Sequence, residues 1–253
     1  MYWAISDSMT MMGRSLRHLT RSIDSILLSV ILPVMLLLMF VYVFGGAIAT
    51  GTAYINYVVP GIILLCAGYG ASQTALSVTS DLVRGIIDRF RSLPIAASSV
   101  LTGHVTASVA RITISTAIVV GLAVAIGFRP HANVLEWLSA LALVILFVLA
   151  IAWLSVVFGL LAKTVEGAGG FSFFVLFLPY VSSAFVPTDT MPKALHFFAE
   201  HQPVTPIIET IRGLLLGTPI GNSGWLAVAW CSAILLLSYA LARFLFRRRT
   251  LNG

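Results

Sequence analysis

The feature that most constrains this chain is a succession of long apolar runs. Crossing about 30 Å of hydrocarbon takes about 20 mostly apolar residues. Six segments meet or approach that length: 26–45, 57–79, 105–128, 137–162, 167–187 and 225–246. Inside a bilayer each must satisfy its backbone polar groups internally, so each is expected to be a helix, and no ten-residue alternation points to a barrel. Only 9% of the 253 residues are charged, whereas a soluble domain carries about 25%. The expected fold is therefore all-α: a polytopic membrane protein with six transmembrane helices over 26–246. Interior prolines at 33, 60 and 179 are expected to kink these helices.

The net charge of +6 resides in short links rather than in a basic domain, which argues against nucleic acid as a partner. Eleven of the fifteen basic residues fall in the N-terminal segment, the link after the second run, the link after the fourth, and the tail. The alternate links hold only Arg129, Lys193 and Arg212. By the positive-inside rule both termini are cytoplasmic, in a multi-pass protein of the cell membrane. The first run is expected to be a retained span, because mixed residues precede it and no small-residue cleavage site follows. In residues 1–25, Leu16, Leu19, Ile23 and Ile26 recur at helical steps beside Arg14, Arg17 and Arg21, as in a helix lying at a lipid interface. Residues 247–253 form a basic tail. Cys66 and Cys231 lie inside runs, where thiols act as small apolar fillers.

Two links are more than connectors. The stretch DLVRGIIDRFRSLPI, residues 81–95, carries five charges within eleven residues. On a helical wheel Leu82, Val83, Ile86, Ile87, Phe90 and Leu93 share one face, opposite Asp81, Arg84, Asp88 and Arg91, with Arg89 near the border. The spacing predicts an amphipathic helix over 81–93, ended at Leu93-Pro94. Charges of both signs suit a protein surface better than a purely lipid-binding one, since headgroup attraction needs only Lys and Arg. The second link, 188–224, holds PKALHFFAEHQ and TPIIETIRGLLLG. Pro192 opens the first; Thr205 as N-cap, Pro206 at the first helical position and Gly217 as stop define the second. The expectation is a pair of short external helices over 192–217, re-entrant or interfacial.

GIIDRFRSLPI, the proline-rich exit from the fifth run (Pro179, then Phe185 to Pro187) and HQPVTPIIETIRGLLLG, in that order and spacing, resemble the ABC-2 family of ABC transporter permeases. The likeness spans nearly the whole chain and is strongest to the actinobacterial permeases of the daunorubicin/doxorubicin resistance type. It implies a transmembrane subunit that pairs with a second copy or a similar permease and binds two copies of a separate ATPase, which carries the ATP and Mg. It also implies that 81–93 is a coupling helix, with Asp81, Arg84, Ile87, Asp88, Arg89, Phe90 and Arg91 facing that ATPase.

The chain lacks a Gly-x4-Gly-Lys-Ser/Thr phosphate loop, so it is expected to hold no ATPase site, no cofactor and no metal. His196 and His201 are five apart and do not stack as an i,i+4 zinc pair does. Candidate pathway or gate residues are Arg111, Gln73, Phe174, Glu209 and Arg212. Arg111 falls inside the third run, where a charge must snorkel, pair, or face a water-filled cavity. Gln73 and Asn56 suit hydrogen bonds to a neighbouring helix. Phe171, Phe173, Phe174 and Phe177 suit either an apolar translocation surface or lipid. Tyr42, Tyr54, Tyr57, Trp137 and Trp225 fall where an aromatic belt is expected. The expected activity is export of an amphipathic drug or lipid-like molecule. The competing readings are an ion-coupled carrier, which would place Asp or Glu near midplane, and a non-transporting scaffold.

Overall fold

The apolar runs do become helices. The computed structural model describes residues 23–48, 50–85 and 97–251, with no strand among them. Helix α1, Ile23–Leu38, continues directly into a π-helical stretch, Met39–Phe44. Then come α2 (Tyr54–Val83), α3 (Ala97–Ile126), α4 (Val134–Leu161) and α5 (Val165–Tyr180). A 3₁₀ turn at Thr188–Thr190 precedes α6 (Lys193–His201), α7 (Val204–Leu216) and α8 (Ser223–Leu251). The interface segment 1–25 lies outside the described residues except for the first turn of α1.

Among the described residues, four helices are long and apolar enough to cross a bilayer by themselves: Tyr54–Val83, Leu101–Ile126, Val134–Leu161 and Ser223–Arg248. The apolar stretches Ser29–Phe44 and Val165–Tyr180 are shorter. For α5 the reason is local. The helix has 16 residues, about 24 Å by helical rise, and after Pro179 the chain turns into a buried loop rather than running on to 187 as expected.

Helix α2 is the hub. In its apolar window 83% of residues are buried, against 22% for α3 and for α8. Helices α1, α3, α4 and α5 surround it, and α8 packs on the far side of α4 and against α7. The larger core runs from the middle of the bundle to the α6–α7 end, with Ile62, Leu64, Leu65, Ile112, Ile207, Ile208 and Ile211 essentially sealed. A second core, around Val78, Leu101, Val156, Leu160 and Ala242, joins α2, α3, α4 and α8 at the opposite end.

Capping chemistry sets several helix boundaries. Asn133 and Glu136 form a reciprocal capping box at the start of α4, with bonds of 2.9 and 2.7 Å. Thr164 caps α5 by accepting from the Gly167 N–H. Pro192 precedes α6, and Gly217 ends α7 in the left-handed region (φ 74°), both as expected. The start of α7 differs from expectation: it begins at Val204 behind Pro203, and Thr205 lies inside the helix with its hydroxyl donating to the Ala199 carbonyl at 2.5 Å. That bond ties α7 back to α6, so the threonine holds the elbow between the helices instead of capping one of them.

Candidate functional site

At the α6–α7 end the loop leaving α5 is buried: Ser182, Ser183, Ala184 and Phe185 are each under 5% exposed. A buried loop carries backbone groups that no helix satisfies, and these need side-chain partners. Four residues supply them. The Tyr54 hydroxyl donates to the Phe185 carbonyl at 2.9 Å. The Ser182 hydroxyl donates to the Pro179 carbonyl at 2.6 Å and accepts from the Ala184 N–H at 3.1 Å. The Gln202 amide nitrogen donates to the carbonyls of Leu178 and Val181 at 3.2 and 2.5 Å. Arg212 donates through Nη2 to the carbonyls of Ser183 (2.7 Å) and Tyr57 (3.0 Å).

Arg212 is the centre of this clasp. Its side chain is 7% exposed, its Nη1 binds Glu209 Oε1 at 2.6 Å, and its Cζ sits 3.7 Å from the centroid of the Tyr57 ring. A guanidinium offers five donors in a planar fork, and this one joins α2, the α5–α6 loop and α7 at a single point. The backbone is drawn in closely. A Cβ placed on Gly61 would lie 2.6 Å from that of Ala184, so α2 can approach the loop there only without a side chain. Phe40 and Tyr180 stack on Phe185 from either side, with centroids 4.1 and 5.1 Å away.

The other candidates lie apart from the clasp. Arg111, on α3, is partly buried and donates from Nη2 to Thr74 Oγ1 at 3.3 Å; its shielded Nε has no partner. Thr74 is hydrogen-bonded to Ser108 at 2.7 Å, making a small polar cluster between α2 and α3. Gln73 is half-buried beside it on α2. Phe174 is 63% exposed on α5, as are Phe173 (82%) and Phe177 (63%), whereas Phe171 turns inward and stacks on Phe158 at 4.0 Å. The four phenylalanines therefore do not form one surface.

At the opposite end Asp81 and Arg84 do not begin a separate rod. Asp81 belongs to α2, which ends at Val83, and Gly85 follows in the left-handed region (φ 66°). Because a left-handed residue interrupts a right-handed helix, Asp81 is not on one continuous helix with the residues beyond Gly85. Asp81 instead meets His104 of α3 at 3.2 Å, a pair the sequence pattern gave no reason to expect. Ile87, Asp88, Arg89, Phe90 and Arg91 lie outside the described residues.

Sequence reasoning missed Gln202 and Ser182, and it took Tyr54 and Tyr57 for belt residues. Both tyrosines are buried, at 6% and 9% exposure, whereas Tyr42 and Trp225 are exposed as a belt requires. Asn56 accepts from the backbone N–H of Arg129 in the α3–α4 connection rather than from a neighbouring helix. The one available signal was QPVTP, since a glutamine fixed ahead of a proline elbow is well placed to serve a neighbouring helix end.

Apolar helices around a buried hub, polar side chains committed to holding helix ends, and no group of three or more potential metal ligands among the described residues define a polytopic, all-helical membrane protein. The chain belongs to the ABC-2 type transporter family, whose profile matches residues 7–216. Members are membrane permease subunits of ABC transporters and are not themselves the ATPase; such a subunit implies an ATPase partner and a dimeric permease arrangement. Over 217 residues it is 30% identical to the daunorubicin resistance ABC transporter permease protein DrrB1 of Streptomyces coeruleorubidus, covering 85% of this chain and 77% of that one. It is 22% identical over 232 residues to the probable doxorubicin resistance ABC transporter permease protein DrrC of Mycobacterium tuberculosis, covering 91% and 84%.

Proposed function

We propose that this chain is the transmembrane permease subunit of an ATP-driven exporter that moves an amphipathic drug or lipid-like molecule outward by alternating access. The observation that carries this reading is the similarity, over 85% of the chain, to a permease named for daunorubicin resistance. In this reading α1 and α5 also cross the bilayer, giving six spans with both termini cytoplasmic, as the distribution of basic residues supports. Helices α6 and α7 then lie toward the outer face, the expected place for the 192–217 pair.

Energy enters at the opposite end. A separate ATPase, present in two copies and holding ATP with Mg, pushes on the 81–93 segment, with Asp81, Arg84, Ile87, Asp88, Arg89, Phe90 and Arg91 as the contact set. The push is transmitted along α2, whose burial makes it the element least able to move alone. Because Arg212 and Gln202 fasten α7 and the α5–α6 loop to the ends of α2 and α5, displacement of α2 carries the outer cap with it. Glu209 and Arg212 thus act as part of a gate by transmitting movement, while Arg111, Gln73 and Phe174 serve the pathway formed with a second permease copy.

The test is co-purification from detergent, with the intact chain and with Asp88→Arg and Arg91→Glu together. An ATPase that accompanies the intact chain and is lost on charge reversal is the expected result. A chain that moves cargo in vesicles with no ATPase present sinks the reading.

A further inference from the structure

The C-terminal end of α8 carries two rows of side chains. Tyr239, Arg243 and Arg247 follow one another at steps of four, as do Leu236, Ala240, Phe244 and Arg248 beside them. Arg247 and Arg248, expected from the sequence to belong to a tail, continue the helix. Every residue of both rows is exposed. An open groove of about 690 Å³ runs along them, with Tyr239, Ala240, Arg243, Phe244, Arg247 and Arg248 as its described wall. No Asp or Glu contributes to that wall.

The groove has a firm back. On another face of α8, Ala242 and Phe246 are buried in the second core, and the Tyr239 ring meets Trp153 of α4 edge-on with centroids 4.8 Å apart. A packed helix, and not a loose chain end, presents the arginines. Along the helix the exposed surface changes character: Leu236 and Leu237, 68% and 71% exposed, give way through Phe244 to guanidinium groups. From Leu236 to Arg248 the rise is about 18 Å, close to the half-thickness of a hydrocarbon core, about 15 Å. The Arg243 Cζ lies over the Tyr239 ring, 5.7 Å from its centroid. Such stacking uses the flat face of a guanidinium and leaves its N–H edges for the paired bonds that a phosphate accepts.

We propose that this face of α8 binds one anionic phospholipid, with its phosphate among the guanidinium groups of Arg243, Arg247 and Arg248 and an acyl chain along Phe244, Ala240 and Leu236. Cations alone at the end of an apolar strip match a negatively charged headgroup on its own chains. Asp81 and Arg84 at the end of α2, by contrast, mix both signs. A soluble protein could meet the arginines but not Leu236 and Leu237, which lie about three turns inside the spanning stretch Ser223–Arg248. The site needs only that α8 crosses the bilayer, and rests on neither export, nor an ATPase, nor a second permease copy.

The test is native mass spectrometry of the full-length chain in detergent, given equal amounts of phosphatidylglycerol and phosphatidylcholine with the same acyl chains. The complex with one phosphatidylglycerol should exceed that with one phosphatidylcholine at least about fivefold, the effect of roughly one basic residue at a charged surface. Arg243→Gln together with Arg248→Gln should bring phosphatidylglycerol retention down to the phosphatidylcholine level, while Arg247 and Arg249 keep the orientation of α8. Lys193→Gln, on α6 at the far end of the bundle, should change neither. Glycerol phosphate, the headgroup without its chains, should not displace the lipid. Should the double variant fail to fold, cross-linking of a phosphatidylglycerol with a diazirine in its headgroup to the native chain decides, with 236–248 as the expected peptide. Equal retention of the two lipids, undiminished retention in the folded double variant, displacement by glycerol phosphate, or cross-links away from α8 overturns the proposal. If undiminished retention comes with loss of ATPase co-purification, the face belongs to a protein partner instead. Lipid retention is read without nucleotide, so its failure leaves the exporter reading standing.

Discussion

Arg212 and Arg111 are both arginines set among apolar helices, yet their surroundings could hardly differ more. Arg212 is buried at the α6–α7 end with a carboxylate, two backbone carbonyls and an aromatic face around its guanidinium. Arg111 is half-buried between α2 and α3 with a single hydroxyl at 3.3 Å and an unpartnered Nε. Nε is unpartnered in both, so the difference lies in the terminal amino groups, with three bonds for Arg212 against one for Arg111; a cation so engaged holds structure together, and removing it strands its acceptors. A cation with donors to spare costs stability where it stands and is free to meet water, a ligand or a second chain. The contrast separates architecture from candidate function better than burial does.

The sharpest way to break the contrast is Arg212→Met, which strands Glu209 and the Tyr57 and Ser183 carbonyls. It should cost about 2–4 kcal/mol, from two buried carbonyls left unpaired at about 1–3 kcal/mol each, with Glu209, 37% exposed, adding little, read as a fall in thermal midpoint in detergent. Arg212→Lys should recover less than half of that loss, because an ammonium cannot reach both carbonyls as a planar fork does. Next in size is Tyr54→Phe, which removes one buried bond to the Phe185 carbonyl and should cost about 1–2 kcal/mol. Arg111→Met should change stability by less than about 1 kcal/mol, and in the stabilising direction if its charge is poorly solvated. The same variant should lower ATP-driven transport by at least tenfold. A stability loss equal to that of Arg212→Met, or undiminished transport, would erase the distinction. The smallest effect belongs to Asp81→Asn: its contact with His104 is partly exposed, so the change should stay within about 1 kcal/mol.

The apolar runs, the low charge and the placement of basic residues made the helical membrane fold legible from sequence, and three motifs in order pointed to the family. The ends of helices were harder. Residues 81–83 looked like the start of a charged rod but complete α2, because a wheel drawn through Gly85 does not register that its backbone turns left-handed. Thr205 looked like a cap because Thr-Pro is a strong local signal, and tertiary contact with α6 redirected its hydroxyl. Tyr54 and Tyr57 matched the belt pattern by position alone, since nothing in their neighbourhood announced that a loop 131 residues beyond Tyr54 would fold over them.

What the chain determined by itself is the bilayer as solvent and the helix as its response, because both follow from runs of apolar side chains that must satisfy their own backbone. Only the tertiary structure decided which helix became the hub, which arginine gathered three hydrogen bonds, and that Gln202 would spend its amide nitrogen on the carbonyls at the end of α5. Hydropathy acts residue by residue along the chain. Hydrogen bonds to orphaned carbonyls depend on which segments come to lie side by side.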